Sequence, residues 1–207
     1  MTVFNFHAVK IVTTGDGSAV LTNDAAFHER LVSLRNHGIT RAEDKLDRAS
    51  DGPWYYHMSE LGFNYRMTDV QTDLGLSQLG RLDGFFARRR ALVQRYHQML
   101  GGMPLRLPIV APVIDSVWHL FVVRLTLPRI RRNRLQVVER RRRAGIGVNV
   151  YYIPVHLHPS YRRLGFAPGV LPHAQQYYRE GISLPMYHGL GDEAQDRVVA
   201  ELRSAIK

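Results

Sequence analysis

The chain has 207 residues, of which 45% are hydrophobic and 22% are charged. This composition is ordinary for a globular protein, and the length suits one large or two small domains. The chain contains no cysteine, which excludes disulfides and thiolate metal sites and favours a cytoplasmic location. No segment approaches the ~20 consecutive apolar residues that span a bilayer, so we expect no membrane partner.

Arginine dominates the formal net charge of +10, because only Lys10, Lys45 and Lys207 among the 28 basic residues are lysines. Arginine-rich runs occur near residues 88–90, 129–134 and 140–143. Such runs can contact the phosphates of a nucleic acid. They are more often the solvated faces of helices, and we favour this interpretation. We therefore expect no nucleic-acid partner.

The N-terminal part of the chain predicts short strands followed by a helix. Residues 4–9 and 19–22 have the composition of strands, and a Gly-Asp-Gly-Ser turn at 15–18 joins them. Asp24 is placed to cap a helix, because apolar residues recur after it at helical spacing. A polar loop is expected over residues 40–52.

Helices and strands alternate in the rest of the chain. A helix is predicted to begin at Thr68 or Asp69, and a long helix is predicted over residues 82–100. Two glycines and a proline at residues 101–104 interrupt the pattern, so we place a domain boundary after residue 100. The further predictions are strands at 118–127, 148–153 and 182–184, and helices at 133–144, 172–179 and 192–205.

Lys10 is the first candidate for chemistry, because it lies in a short stretch that is rich in aromatic residues and contains His7. A lysine in such a setting can lose its proton and attack a carbonyl as a free amine, which arginine does not do. The alternative is an exposed lysine at the end of a strand. Composition alone favours that alternative.

Several segments resemble, in the same order, the motifs of the DegT-type sugar aminotransferases. The first reads Phe-Asn-Phe-His-Ala-Val-Lys at residues 4–10 and is followed by Thr-Thr-Gly-Asp-Gly-Ser at 13–18. The others lie at residues 35–38, 62–67, 69–71, 183–187 and 193–196. The resemblance covers essentially the whole chain. Within the family, residues 53–56 and 152–159 are most similar to the transaminases of the pseudaminic acid pathway.

The resemblance implies an α/β fold, namely an incomplete aspartate-aminotransferase-like (fold type I) transferase that uses pyridoxal phosphate (PLP). Residues 1–100 would be the C-terminal part of the large PLP-binding domain, and residues 101–207 the small α/β domain. In the family this lysine lies near the middle of the polypeptide. We therefore expect the chain to correspond to the C-terminal half of the family and to have little or no activity alone.

The resemblance also assigns the cofactor-binding residues. Lys10 would be the catalytic residue, which first holds PLP covalently and then moves a proton as base and acid. Asn5 occupies the position of a serine that contacts the cofactor phosphate in the family. Asn64 would reach across a homodimer interface to the phosphate of PLP in the neighbouring subunit.

Substrate contacts are implied for a second group of residues. The aromatic loop of Trp54, Tyr55 and Tyr56 would lie near the substrate, where aromatic rings can stack on a base or a sugar. Tyr151 replaces a family histidine, and His156 follows in the same motif. His156 and His158 also have the His-x-His spacing of metal ligands, but no third ligand has a telling spacing. We expect no metal.

The implied reaction is transfer of an amino group, with glutamate as donor, to a nucleotide-linked 4-keto sugar of cell-surface glycan synthesis. Some arginines could then bind the diphosphate of the sugar nucleotide. A second hypothesis is a non-catalytic partner, or one subunit of a split enzyme, that completes the active site of a complementary large-domain subunit. A basic nucleic-acid-binding protein is the third.

Overall fold

The computed structural model describes all residues from 1 to 207 as an α/β chain. The chain divides into two compact units, Met1–Leu82 and Asp83–Lys207. None of its helices combines the length and the apolar character needed to cross a membrane. The strands are β1 (Thr2–Asn5), β2 (Ser18–Leu21), β3 (Ile39–Thr40), β4 (His57–Met58), β5 (Leu105–Arg106), β6 (Phe121–Leu125) and β7 (Gly181–Leu184). The helices are α1 (Ala25–Arg35), α2 (Asp69–Leu79), α3 (Leu82–Leu100), α4 (Arg134–Arg143), α5 (Pro159–Arg162), α6 (Pro172–Glu180) and α7 (Asp192–Ile206).

Side-chain caps define the beginnings of three helices. Asp24 accepts a hydrogen bond from the backbone N–H of Phe27 at the start of α1. Thr68 and Asn133 each form a capping box, in which the cap side chain and the glutamine three residues later bond each other's backbone N–H groups, at the starts of α2 and α4. These interactions satisfy amide groups that have no partner within the helix. The predicted helix starts near residues 24, 68 and 133 are confirmed.

The second unit contains a complete hydrophobic core. Strands β5, β6 and β7 form an antiparallel sheet in that order. In β6 the side chains of Phe121, Val123 and Leu125 are buried, as the two-residue periodicity of a strand requires. Residues from α3, α4 and α7 pack with them in one apolar cluster. This cluster supplies the hydrophobic free energy that stabilises the unit.

The first unit buries far fewer side chains. Its two small sheets are the antiparallel pairs β1–β2 and β3–β4. Helix α1 has no buried residue, and α2 buries only Gly75. Val12 is the one apolar side chain of the unit that is classed as buried. The apolar residues of both helices therefore remain largely exposed.

The two compact units do not divide at the predicted domain boundary. The compact units divide between Leu82 and Asp83, at the start of α3, whereas the sequence suggested a boundary after residue 100. Helix α3 groups with the second unit because Val93, Tyr96 and Leu100 belong to its apolar core. The Gly101-Gly102 break that ends this helix is therefore a turn within the second unit.

Three predicted strands differ from the observed elements. Strand β1 ends at Asn5 instead of residue 9, because the backbone N–H of Lys10 bonds the carbonyl of His7 at 2.9 Å and closes a turn. Residues 148–153 form no strand. Asn149 instead bonds Ser183, whose N–H and hydroxyl both donate to the Asn149 carbonyl at 2.9 Å. The predicted strand at 118–127 is shorter and spans Phe121–Leu125.

Candidate functional site

Lys10 lies in the turn that follows β1, within the segment that connects β1 to β2. Its backbone N–H is held by His7, while its side chain is exposed. The Nζ atom makes no hydrogen bond or ion pair with the protein. In contrast, Lys45 bonds Glu29 at 2.6 Å, and the hydrogen bond and charge of this carboxylate raise the pKa of the Lys45 amine. Lys10 therefore presents the less constrained amine of the two.

Asn5 is the last residue of β1 and begins the same turn. Its Oδ1 accepts a hydrogen bond from the backbone N–H of His7 at 3.0 Å. The amide nitrogen of Asn5 makes no bond to the protein, so it can donate to an anion such as a phosphate. The structure thus brings two of the three residues that the resemblance assigns to PLP, Lys10 and Asn5, into one turn.

Threonines and glycines shape this turn. The Thr13 hydroxyl donates to the carbonyl of Phe6 at 3.0 Å, and its N–H donates to the side chain of Gln78 at 3.1 Å. A Cβ atom on Gly17 would lie 2.5 Å from the hydroxyl of Thr14. Only glycine fits there without displacement. The Thr-Thr-Gly-Asp-Gly pattern therefore has a direct steric and hydrogen-bonding basis.

Helix α2 supports the turn through Gln71. The side-chain oxygen of Gln71 accepts a hydrogen bond from the backbone N–H of Thr68 at 2.9 Å, and the side-chain nitrogen of Gln71 donates to the carbonyl of Asp16 at 3.0 Å. One side chain thus caps α2 and connects it to the hairpin loop. Sequence reasoning assigned Gln71 to a motif without this role. Its position three residues after a capping threonine was the available signal.

Asn64 belongs to an extended segment that pairs with the end of α1. It forms an antiparallel bridge with Asn36, and the N–H of Tyr65 bonds the carbonyl of Arg35 at 3.0 Å. A Cβ atom on Gly62 would lie 2.1 Å from the backbone nitrogen of Gly38, and a Cβ atom on Gly38 would lie 1.9 Å from the carbonyl oxygen of Glu60, so both positions require glycine. Two motifs that are distant in sequence are therefore neighbours. The exposed Asn64 side chain is available to a ligand or a second subunit.

The aromatic loop is held by arginines. The Tyr55 hydroxyl accepts a hydrogen bond from Nε of Arg48 at 2.6 Å, and this bond raises the pKa of Arg48. The guanidinium of Arg41 lies 5.5 Å from the ring centre of Tyr56, within the range of a cation–π contact. Trp54 makes no such contact and is 71% exposed. Trp54 and Tyr56 therefore offer free aromatic surface.

Tyr151 and His156 lie in the second unit and differ in accessibility. The Tyr151 hydroxyl accepts a hydrogen bond from Asn149 at 2.9 Å, and its ring lies 4.6 Å from that of Tyr152. His156 is only 5% exposed, and its Nε2 lies 3.2 Å from the side-chain nitrogen of Gln175. Contact between His156 and a ligand would therefore require Gln175 to move.

The arginine-rich runs are largely engaged in contacts within the protein. Arg88 bonds Asp192 at 2.8 Å, and Arg90 bonds Asp115 at 2.5 Å. Buried Arg89 donates to three backbone carbonyls, and burial lowers its pKa. Arg140 and Arg142 bond Ser204 and the carbonyl of Val148. Most of these cations therefore hold elements of the second unit in place and do not form one free basic face.

Comparison with known proteins extends these observations. The model of the DegT/DnrJ/EryC1/StrS aminotransferase family matches residues 1–203. The chain is 32% identical to the spore coat polysaccharide biosynthesis protein SpsC of Bacillus subtilis, over all of this chain and 54% of SpsC. The chain thus spans about half the length of the curated relatives it matches.

Two solved structures have the same fold over nearly the whole chain. Spr1654 of Streptococcus pneumoniae, in its PMP form, has a TM-score of 0.86 and 29% identity, over 99% of this chain and 52% of Spr1654. PseC of Helicobacter pylori, an aminotransferase involved in the biosynthesis of pseudoaminic acid, has a TM-score of 0.83 and 27% identity, over 99% of this chain and 52% of PseC. PLP is the cofactor of this group of enzymes, and Spr1654 also has a PLP form. The chain belongs to the DegT/DnrJ/EryC1/StrS aminotransferase family.

Proposed function

We propose that this chain carries the catalytic lysine of a PLP-dependent sugar aminotransferase, and that this lysine is Lys10. The observation that supports this most strongly is the turn itself. An exposed Nζ without a protein partner and a free Asn5 amide lie together in a turn built by the Thr-Thr-Gly-Asp-Gly pattern. The family match includes this turn. Lys10 therefore fits a covalent anchor for the cofactor, and the Asn5 amide fits a hydrogen-bond donor to its phosphate.

The residues of this chain would have different roles in cofactor binding and proton transfer. Lys10 would hold the cofactor through Nζ, and its amine would act as base and acid toward the proton at the donor's α-carbon. The amide nitrogen of Asn5 donates to the cofactor phosphate. Asn64 donates to the phosphate in a second subunit of a homodimer. PLP, when bound, supplies a reactive aldehyde and an electron-withdrawing ring.

We propose glutamate as the amino donor and a nucleotide-linked 4-keto sugar as the acceptor. The likeness to SpsC and PseC supports a sugar acceptor, and the pseudaminic acid pathway is our specific proposal. The exposed rings of Trp54 and Tyr56 would supply stacking surface for the acceptor, and Tyr55 is held by its hydrogen bond to Arg48. Tyr151 is proposed as a further substrate contact. His156 would support the adjoining loop. The lack of cysteine suits a cytoplasmic reaction.

A second candidate function is completion of an active site together with a complementary large-domain subunit. The exposed apolar residues of α1 and α2 support this alternative. In this case the chain supplies Lys10 or Asn64, and the partner supplies the remaining cofactor contacts. We expect the 207-residue chain alone to show no turnover or very weak turnover.

Reconstitution tests this proposal. The purified chain with PLP, glutamate and a UDP-linked 4-keto sugar should form little 2-oxoglutarate. Addition of a polypeptide that corresponds to the remaining half of a close relative should raise the rate, and Lys10→Ala should abolish the gain. Robust turnover by the chain alone would contradict the expected dependence on a partner. An unchanged rate with Lys10→Ala would contradict the role of Lys10.

A further inference from the structure

His7 lies in the middle of the Lys10 turn, and the proposed function gives its side chain no role. The backbone N–H of His7 donates to Oδ1 of Asn5 at 3.0 Å, and the carbonyl of His7 accepts from the N–H of Lys10 at 2.9 Å. One residue thus connects the proposed phosphate donor to the proposed covalent anchor. Both bonds use the backbone of His7 and are open to any residue there except proline.

The imidazole ring of His7 adds a third contact to this turn. Its Nδ1 atom accepts a hydrogen bond from the backbone N–H of Val9 at 3.5 Å. This distance is long for a hydrogen bond, but no backbone carbonyl accepts from the Val9 N–H. Val9 directly precedes Lys10, so the contact restrains the peptide that leads into the lysine.

Two successive contacts of the same type define the path of the chain from Asn5 to Val9. In each, a side-chain acceptor bonds the backbone N–H two residues later, first from Asn5 to His7 and then from His7 to Val9. Asparagine and aspartate side chains commonly form such contacts in turns. Nδ1 of histidine, like Oδ1 of asparagine, is attached directly to Cγ, so it reaches the same amide. The histidine side chain therefore shapes the turn in the same way as the asparagine before it.

The contact with Val9 also defines the proton position on the ring. Nδ1 can accept a hydrogen bond only when it carries no proton, so the proton of the neutral ring lies on Nε2. The contact therefore needs both the acceptor at the δ position and one particular tautomer. Both requirements can be tested separately from the bulk of the ring.

We infer that His7 is a positioning residue for Lys10. Its Nδ1 contact with Val9 holds the turn in which the Lys10 amine and the Asn5 amide act on one cofactor. The inference rests on the proposed function, which assigns the amine to the aldehyde of PLP and the amide to its phosphate. In this role His7 needs no contact with the cofactor. Loss of the acceptor should weaken the joint action of Lys10 and Asn5 and leave the intrinsic reactivity of the amine unchanged.

Reductive trapping with PLP and with pyridoxal, which lacks the phosphate, measures this joint action. The ratio of the two trapping rates at Lys10 reports how much the phosphate contact assists attachment. His7→Leu removes the acceptor and should lower the ratio about threefold, near the lower end for loss of one hydrogen bond. His7→Asn keeps an acceptor at the δ position and should retain the ratio of the parent chain. His173→Leu is the matched control, because it removes an exposed histidine from the second unit, and it should also retain the ratio.

Two results of the trapping experiment would overturn the inference. The first is an unchanged ratio in His7→Leu. The second is a ratio in His7→Asn as low as that in His7→Leu, which would show that the ring acts through its bulk and not through its acceptor. Circular dichroism and unchanged trapping rates at Lys45 establish that each variant is folded.

NMR of the chain without PLP separates the inference from the proposed function. The Val9 amide should exchange with solvent faster in His7→Leu than in the parent chain and in His7→Asn. Equal exchange in all three, or a ring with its proton on Nδ1, would overturn the inference even if Lys10 is the lysine that PLP labels. The expected exchange pattern in a chain whose PLP labelling shows no preference for Lys10 would support the Val9 contact and contradict the proposed function.

Discussion

The side-chain oxygen of Asn5 accepts a hydrogen bond from the backbone N–H of His7 at 3.0 Å. This bond uses the acceptor of the amide and leaves its donor free on the Lys10 turn. The bond lies at the end of β1. An asparagine at the position of the family's serine can thus shape the turn and still donate to a phosphate.

Substitution of Asn5 by aspartate tests this division of roles. Asn5→Asp keeps the acceptor for His7 but replaces the free donor with a carboxylate oxygen, which repels phosphate. We expect at least about a tenfold loss of PLP affinity, the equivalent of one charge-assisted hydrogen bond. Asn5→Ser should retain most of the affinity. Equal affinities of all three proteins in a fluorescence titration with PLP would show that Asn5 does not contact the phosphate.

We expect Arg141 to lower the stability of the second unit. Its side chain is 0% exposed, and none of its three guanidinium nitrogens has a hydrogen-bond partner. Burial lowers its pKa to about 10, although Tyr96 and Glu201 favour its charge. Because a buried cation without a partner is costly, Arg141→Met should raise the free energy of unfolding by about 1–4 kcal/mol.

Urea denaturation measures this change, with Arg143→Met as the control. Arg143 lies on the same helix, is exposed, and makes a pair of 3.6 Å with Glu139. Its substitution should change the unfolding free energy by no more than about 0.5 kcal/mol. A lower stability of Arg141→Met would indicate that Arg141 stabilises the core, contrary to this prediction.

Glu180 should make stability depend on pH in the acid range. It bonds Arg124 at 2.7 Å and Gln176 at 2.9 Å. Burial raises the pKa of Glu180, but these hydrogen bonds outweigh burial and hold the pKa below its ordinary value of 4.5. Because the folded-state pKa is the lower one, the stabilisation is present above pH 4.5 and is lost as the pH falls through the folded-state pKa.

Glu180→Gln removes this titration. The variant should lose about 1–2 kcal/mol of stability at neutral pH, and the difference from the parent chain should shrink as the pH falls below 4.5. Glu139→Gln provides the control, because the Glu139 pair is exposed and contributes little. Thermal melts at a series of pH values follow both variants. A difference that is constant across pH would contradict the assignment to Glu180 ionisation.

The two units should differ in hydrogen-exchange protection. The second unit has an apolar core formed by α3, α4, α7 and the sheet, whereas α1 and α2 bury almost no side chains. Local opening is easiest where few apolar contacts are broken. We expect amides of α3, β6 and α7 to exchange slowly and those of α1 and α2 to exchange rapidly. Uniform protection along the chain would indicate that the first unit is stabilised by contacts other than side-chain burial.

The sequence predicted the elements whose signals are local. The helix starts predicted near residues 24, 68 and 133 depend on residues within three positions, and each start is observed with a side-chain cap. The strand predicted at 148–153 does not form, because the N–H of Asn149 donates to the side-chain hydroxyl of Ser183, 34 residues away, and not to a strand carbonyl. The burial of Arg141 had no local signal, because it lies within a run of four arginines of which only one is buried. Such contacts appear only when the tertiary fold is known.

The sequence motifs likewise predicted only part of the candidate site. The motif at residues 4–10 singled out Lys10 and Asn5, and the structure places both in one turn. The support from Gln71 and Gln78 joins positions 55 and 65 residues apart along the chain, which no short motif can reveal. The roles of Trp54, Tyr55, Tyr56, Asn64, Tyr151 and His156 toward a ligand remain predictions.

The reactivity of Lys10 is the central claim, and reductive trapping tests it most directly. The chain is incubated with PLP, reduced with borohydride and mapped by peptide mass spectrometry. We predict one dominant pyridoxyl adduct on Lys10, because the Lys45 amine is held by Glu29 and has a raised pKa. The adduct should disappear in Lys10→Arg. Equal weak labelling of Lys10, Lys45 and Lys207 would contradict the claim that Lys10 is the cofactor-binding lysine.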